Sequence, residues 1–200
     1  MITVVGIGPG GTEYLTPNAR HAIEQAEVLV GGKRHLATFS GNIKQSRLLD
    51  ADLLGLLEWL DSHKDRAIVV LASGDPLLFG IGKLLAANFS PEELHIVPGI
   101  SAIQYLCAKV SLDMNDLFLT SSHGREPDFD WIFQHDKVAM VTDGIIGPRA
   151  IADALHQRGL SRTLIIGENL SQPDERIHRL PVEQVATRYD MNVVVILNER

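Results

Sequence analysis

Residues 2–11 read ITVVGIGPGG, a short apolar run that leads into four closely spaced glycines. An apolar run that contains valines and stops at glycines is typical of a buried strand in a parallel sheet. Thr16 and Pro17 follow as an N-cap and a first helical residue, so a helix is predicted to begin there. This stretch therefore predicts the opening strand, turn and helix of an α/β fold.

Two more glycine turns follow apolar runs in the first half of the chain. Residues 73–76 read SGDP after a predicted strand over 67–72, and residues 98–102 read PGISA after one over 94–97. Ligands of parallel α/β sheets bind outside the carboxyl ends of the strands. We therefore predict that the three turns line one small-molecule site, built mainly from backbone atoms.

The alternation of strand and helix patterns continues along the whole chain. Further strands are predicted over 28–30, 117–120, 138–142, 164–167 and 193–197, and helices over 53–60, 79–89, 100–110, 148–158 and 182–189. This order predicts βαβ units and parallel sheets. Because the composition turns polar around residues 111–116, we predict an N-terminal α/β lobe over 1–112, which carries the three turns, and a C-terminal α/β lobe over 113–200.

Composition and charge exclude several classes of protein. The chain has 200 residues, 45% of them apolar, and a net charge of -7, which argues against non-specific binding to nucleic acid or an anionic membrane. Cys107 is the one cysteine, so no internal disulfide can form and a reducing compartment is indicated. No signal peptide or membrane span is visible. We expect a cytoplasmic protein.

The first glycine turn also admits a dinucleotide site. Residues 6–11 satisfy G-x-G-x-x-G, although the second predicted strand ends at Val30 without the acidic residue that holds a ribose hydroxyl. Lys33 and Arg34 stand where a 2′-phosphate would be held. An NADP-dependent reductase of a small anionic substrate therefore stays open as an alternative.

Asp75 and Ser101, in the second and third glycine turns, each fit two different roles. Asp75 is able to accept hydrogen bonds from a ligand or to cap the helix that follows, and Ser101 has the same choice through its hydroxyl. The basic clusters at residues 33–35 and 123–125 either bind an anionic ligand or form solvated loops. The eight histidines show none of the spacings typical of a metal site, so no protein-bound metal is predicted.

In their order and spacing, the three turns resemble the motifs of the tetrapyrrole (corrin/porphyrin) methylases. The matching stretches are residues 5–11 (VGIGPGG) with 15–17 (LTP), 73–76 (SGDP) and 97–102 (VPGISA). Four more stretches resemble the branch that methylates carbon 5 of the late precorrin ring: residues 30–36 (VGGKRHL), 123–125 (HGR), 167–170 (GENL) and 173–177 (PDERI).

The resemblance implies a fold and an activity. The fold has two lobes, each an α/β sandwich with a mostly parallel sheet, and S-adenosylmethionine binds in the cleft between them. Enzymes of this family are normally homodimers. The activity is methyl transfer to carbon 5 of cobalt-precorrin-7 in anaerobic cobalamin biosynthesis. Some relatives carry a fused domain that methylates carbon 15 and decarboxylates. Since the sequence ends at Arg200 without it, we expect a free-standing enzyme that is able to associate with such a partner.

The resemblance also implies site residues. Those expected to bind S-adenosylmethionine are Pro9, Gly74, Asp75, Pro76, Ser101 and Ala102. Those expected to bind the carboxylates of the corrinoid are Arg34, His35, His123 and Arg125. His123 is also the first candidate for a catalytic acid or base. A corrinoid-binding protein without catalytic activity would keep the same turns and is the second alternative.

Overall fold

The computed structural model describes residues 1–39, 41, 45–124 and 126–199. The chain divides into two compact units, Met1–Ser101 and Ala102–Arg200. This division differs from the predicted boundary after residue 112 by one helix, Ala102–Lys109, which packs on strands of the second unit. Within the described part of the chain, no helix is both long and apolar enough to cross a lipid bilayer.

The first unit is a parallel sheet with helices between its strands. Its elements are β1 (Ile2–Gly6), α1 (Pro17–Glu24), β2 (Val28–Gly31), α2 (Lys33–Phe39), β3 (Gln45–Leu48), α3 (Leu53–Ser62), β4 (Ile68–Ala72), α4 (Gly82–Ala86) and β5 (Leu94–Val97). The strand order is β3-β2-β4-β1-β5, and every pair is parallel. The predicted α/β fold of this unit is confirmed.

Burial and capping explain why these elements form. The central strands β1 and β4 consist largely of β-branched residues that are fully buried, as in a sheet covered on both faces. Thr16 caps α1 through its hydroxyl, which accepts a hydrogen bond from the N–H of Ala19 at 3.2 Å. In the parallel register Gly6 lies opposite Ala72, and Val5 lies opposite Val97. The carboxyl ends of β1, β4 and β5 therefore reach the same edge of the sheet.

The second unit holds a second five-stranded sheet. Its elements are α5 (Ala102–Lys109), β6 (Phe118–Ser121), α6 (Phe129–Ile132), β7 (Lys137–Val141), α7 (Pro148–Gln157), β8 (Thr163–Glu168), β9 (Arg176–Pro181) and β10 (Asn192–Leu197). The strand order is β6-β7-β10-β8-β9. The apolar side of α7, with Ile151 and Leu155 fully buried, packs into the core of this unit.

The second sheet is mixed, and the prediction of a mostly parallel sheet for this lobe is wrong. β6 and β7 are parallel, whereas β10 pairs antiparallel with β7 and β8, and β9 pairs antiparallel with β8. The predicted helix over 182–189 is a single 3₁₀ turn at Val182–Gln184. Parallel neighbours need a long crossover, usually a helix, and the short connections after β8 and β9 do not supply one.

Candidate functional site

The three glycine turns meet at one edge of the first sheet. A Cβ atom built on Gly6 would lie 2.5 Å from the backbone nitrogen of Gly99 and 2.7 Å from the carbonyl oxygen of Gly74. A Cβ atom on Gly99 would lie 2.2 Å from the same oxygen. Since these neighbours are backbone atoms, the turns approach one another so closely that only glycine fits at both positions.

Hydrogen bonds between the turns fix this arrangement. The N–H of Gly74 donates to the carbonyl of Gly8 at 2.8 Å, and the N–H of Gly8 donates back to the carbonyl of Gly74 at 3.3 Å. Both glycines have positive φ angles, 81° at Gly8 and 62° at Gly74, a region that other residues rarely adopt. The first two turns therefore form one rigid backbone surface.

Asp75 joins the second turn to the third. Its Oδ1 accepts a hydrogen bond from the N–H of Leu77 at 2.8 Å, and its Oδ2 accepts one from the N–H of Gly99 at 3.1 Å. Both oxygens of the carboxylate thus hold backbone N–H groups, one at the start of the following segment and one in the neighbouring turn. The side chain orients the turns.

The other residues predicted to bind the donor lie along the same turns. Pro9 and Pro76 are buried, and the carbonyl of Pro76 accepts a hydrogen bond from the N–H of Gly82 at 2.9 Å. Ser101 is buried at the end of the first unit, with 4% of its surface exposed, and Ala102 is the first residue of α5 in the second unit.

His35 lies beside the second glycine turn. It belongs to α2, which begins just after β2, and β2 is the neighbour of β4 in the sheet. Its Nε2 is 3.1 Å from Oγ of Ser73, the residue before Gly74. Burial, together with the positive charge of the exposed Arg34, lowers the pKa of His35. Both effects favour the neutral form of the imidazole.

His123 lies in the second unit, on the loop after β6, and Arg125 lies outside the described residues. The imidazole of His123 is exposed, and its backbone N–H donates to Oγ of Ser121 at 3.0 Å. Hydrogen bonds from the N–H groups of Ile146 and Ile145 lower the pKa of Asp143, and His123 contributes a smaller electrostatic effect. His123 and the Asp143 carboxylate are therefore electrostatic neighbours.

Glu168 lies in the stretch 167–170 that carries part of the family resemblance, but sequence reasoning gave it no role; the structure shows it as a buried carboxylate at the end of β8. Glu168 has only 3% of its surface exposed, and its oxygens accept hydrogen bonds from Nε2 of His178 at 2.6 Å and from the N–H of Asp190 at 2.7 Å. Burial raises the pKa of Glu168, but these bonds and the nearby Arg176 more than offset it, so that the pKa lies below its usual value. An acidic residue directly after the apolar run 164–167 was the available signal.

A cavity of about 460 Å³ in the second unit borders Glu168, the loop 143–147 and the start of α7. Three arginines and three acidic residues line it, namely Arg149, Arg176, Arg188, Asp143, Glu168 and Asp190. These opposite charges balance, so the cavity has no clear preference for an anion. Among the residues that the structure describes, no group of three or more His, Cys, Asp or Glu side chains is arranged to hold a metal ion.

Comparison with known proteins gives the family. Residues 1–186 match the family model of the tetrapyrrole (corrin/porphyrin) methylases. The chain is 54% identical over 201 residues to the cobalt-precorrin-7 C(5)-methyltransferase of Salmonella typhimurium, and the match covers 100% of both chains.

Solved structures share the fold. The precorrin-6Y methylase of Archaeoglobus fulgidus is 22% identical with a TM-score of 0.80, and the match covers 100% of this chain and 99% of that one. The uroporphyrin-III C-methyl transferase of Thermus thermophilus, solved in complex with S-adenyl homocysteine, is 23% identical with a TM-score of 0.77 and coverage of 98% and 96%. The resemblance drawn from the sequence is confirmed, and the chain belongs to the tetrapyrrole (corrin/porphyrin) methylases.

Proposed function

We propose that this protein transfers a methyl group from S-adenosylmethionine to carbon 5 of cobalt-precorrin-7 in cobalamin biosynthesis. The observation that carries the proposal is the 54% identity to the Salmonella typhimurium enzyme over the full length of both chains. The glycine turns of the first unit add support, because they are the stretches on which the resemblance to the family rests.

The donor is proposed to bind at the three glycine turns. The close approach of Gly6, Gly74 and Gly99 brings the three turns together with backbone rather than side chains between them, which favours a ligand held mainly by backbone atoms of the turns. When bound, S-adenosylmethionine supplies an electrophilic methyl group on its sulfonium. The contribution of the chain is to hold the reactants in orientation, which lowers such barriers by roughly 7–11 kcal/mol, so that no protein nucleophile is needed.

Arg34, His123 and Arg125 are proposed to bind the carboxylates of the corrinoid. The chain has a net charge of -7, so an anionic substrate requires a local concentration of basic groups. Each charge-assisted hydrogen bond contributes about 1.5–3 kcal/mol. Replacing Arg34 by Ala is therefore expected to raise the substrate KM about tenfold or more. An unchanged KM would remove Arg34 from the substrate site.

His123 is the proposed acceptor for the proton that carbon 5 loses after methylation. Its imidazole is exposed on the loop after β6 and lies near the Asp143 carboxylate, so a proton acceptor is available at this loop. A His123→Gln variant is expected to show a lower kcat and to lose one limb of the pH–rate profile. If the profile is unchanged, solvent takes the proton.

Ligand titration separates this function from its alternatives. Isothermal titration of the purified protein with S-adenosylhomocysteine is expected to give micromolar binding, and a parallel titration with NADPH is expected to give none. Binding of NADPH alone would support a reductase and contradict the proposal. A single-turnover assay with the corrinoid then distinguishes a methyltransferase from a protein that only binds its ligands.

The assembly and the location of the protein are also predictions from the family resemblance. We expect a homodimer in the cytoplasm that is able to associate with the enzyme acting at carbon 15. Light scattering coupled to size exclusion tests the dimer, since a monomer mass at working concentration would contradict it. Co-purification with the carbon-15 enzyme tests the association.

A further inference from the structure

The imidazole of His35 is held at one nitrogen and enclosed at the other. Its Nε2 lies 3.1 Å from Oγ of Ser73. Its Nδ1 is shielded from solvent and has no hydrogen-bond partner within residues 1–39, 41, 45–124 and 126–199. The two nitrogens therefore have different environments, and these environments decide where the ring carries its proton.

The proton of the neutral ring belongs on Nε2. A proton on Nδ1 would leave a buried N–H without an acceptor, which is rarer and more costly in proteins than an unused acceptor. With the proton on Nε2, the ring donates to Oγ of Ser73. The hydroxyl of Ser73 then keeps its own hydrogen for another acceptor.

Ser73 is well placed to use that hydrogen on a ligand. It is exposed at the end of β4, and the next residue is Gly74 of the second turn. Several backbone donors of the turns already serve the fold: the N–H groups of Ile7, Gly8 and Gly74 donate to other carbonyls, and that of Gly99 donates to Asp75. With these four N–H groups occupied, a side-chain donor at this edge adds to the hydrogen bonds that a ligand oxygen is able to accept.

We propose that His35 is a positioning residue, which orients the hydroxyl of Ser73 so that it donates a hydrogen bond to the carboxylate of the S-adenosylmethionine bound at the glycine turns. The inference rests on the proposed function, because the acceptor belongs to the methyl donor. A carboxylate is the strongest acceptor that this ligand offers to an O–H donor. In this proposal His35 helps to bind the methyl donor, S-adenosylmethionine, whereas the sequence predicted that it binds the corrinoid.

Two ligands and three variants test the proposal by isothermal titration. S-adenosylhomocysteine carries the carboxylate, and 5′-methylthioadenosine lacks the amino-acid part. Ser73→Ala is expected to lower the affinity for S-adenosylhomocysteine about tenfold or more, which corresponds to the loss of a hydrogen bond to a charged group. Its affinity for methylthioadenosine is expected to stay within about twofold of that of the parent. His35→Phe is expected to show the same pattern, and His35→Gln, whose amide nitrogen is able to replace Nε2, is expected to restore most of the affinity.

A matched control and a double variant complete the test. His95 is an exposed histidine on β5 of the same sheet, and His95→Phe is expected to bind both ligands like the parent. Because His35 acts through Ser73, the double variant with Ser73→Ala and His35→Phe is expected to bind no more weakly than Ser73→Ala alone. Additive losses in the double variant would overturn the proposal.

The outcomes distinguish a failure of the proposed function from a failure of the positioning role of His35. If the parent protein fails to bind S-adenosylhomocysteine, the proposed function and this inference both fail. If the parent binds it and the Ser73 and His35 variants bind equally well, the positioning role is overturned while the proposed function stands. An equal loss for methylthioadenosine would overturn the assignment of the carboxylate. Circular dichroism and urea unfolding confirm that each variant is folded.

Discussion

Replacing Gly99 by Ala is the sharpest test of how the glycine turns are built. The new Cβ would lie 2.2 Å from the carbonyl oxygen of Gly74, which would have to retreat by about 1.2 Å to reach an ordinary contact of 3.4 Å. That oxygen accepts a hydrogen bond from Gly8, and the N–H of Gly99 donates to Asp75, so the shift disturbs both links between the turns.

The size of the effect follows from that displacement. Overpacking of this kind costs about 1–3 kcal/mol of stability. Misplacing the groups that orient a substrate by about 1 Å costs up to roughly 100-fold in rate, and we expect the loss of ligand affinity to be of that size or smaller. We therefore expect Gly99→Ala to remain folded at 25 °C, with a lower free energy of unfolding, and to bind S-adenosylhomocysteine about 10- to 100-fold more weakly.

Urea unfolding and isothermal titration measure the two effects on the same preparation. Gly144→Ala is the matched control, because a Cβ atom there meets nothing within 4 Å and the residue has no positive φ angle. The control is expected to change both quantities little. If Gly99→Ala is folded and binds S-adenosylhomocysteine within about twofold of the parent, the turns do not form the donor site.

Three further predictions concern single carboxylates and histidines. Asp75→Ala leaves the N–H groups of Leu77 and Gly99 without their acceptor, so urea unfolding is expected to show that the free energy of unfolding falls by about 1–3 kcal/mol. The isosteric Asp75→Asn keeps one acceptor oxygen and is expected to lower the free energy of unfolding by less. Folding lowers the pKa of His35, so as the pH falls the unfolded chain takes up the proton before the folded chain does. The free energy of unfolding is therefore expected to fall as the pH drops below about 6.5. The His35→Phe variant should lack this part of the pH dependence, and an identical pH dependence in that variant would contradict the prediction. The pKa of Glu168 is also lower in the folded chain, so the unfolded chain again takes up the proton first, and the free energy of unfolding is expected to fall further below about pH 4.5. The Glu168→Gln variant should show a smaller decrease in this pH range.

Local signals were enough to predict the strands that lead into the glycine turns of the first unit, but they missed α2 and the edge strand β3, whose short and mostly exposed sequence QSRL carries no apolar run. Each of the glycine turns follows an apolar run, and a strand that stops at glycine is legible within ten residues. The second unit was harder, because β9 has no fully buried residue and contains two arginines and a histidine. Its place in the sheet depends on pairing with β8, which no short stretch of sequence reveals.

The contacts within the site were beyond sequence reasoning for the same reason. Asp75 was identified as a ligand contact or a cap, but its bond to Gly99 spans 24 residues. The bond between His35 and Ser73 spans 38 residues and joins two elements that are neighbours only because β2 pairs with β4. Sequence motifs thus located the turns, whereas the roles of their polar side chains depended on the tertiary structure.

A crystal structure of the complex with S-adenosylhomocysteine tests the central claim most directly. The account predicts that the ligand lies against residues 6–11, 73–76 and 98–101, with its carboxylate about 3 Å from the hydroxyl oxygen of Ser73. A ligand bound elsewhere, for example in the cavity beside Glu168, would contradict it.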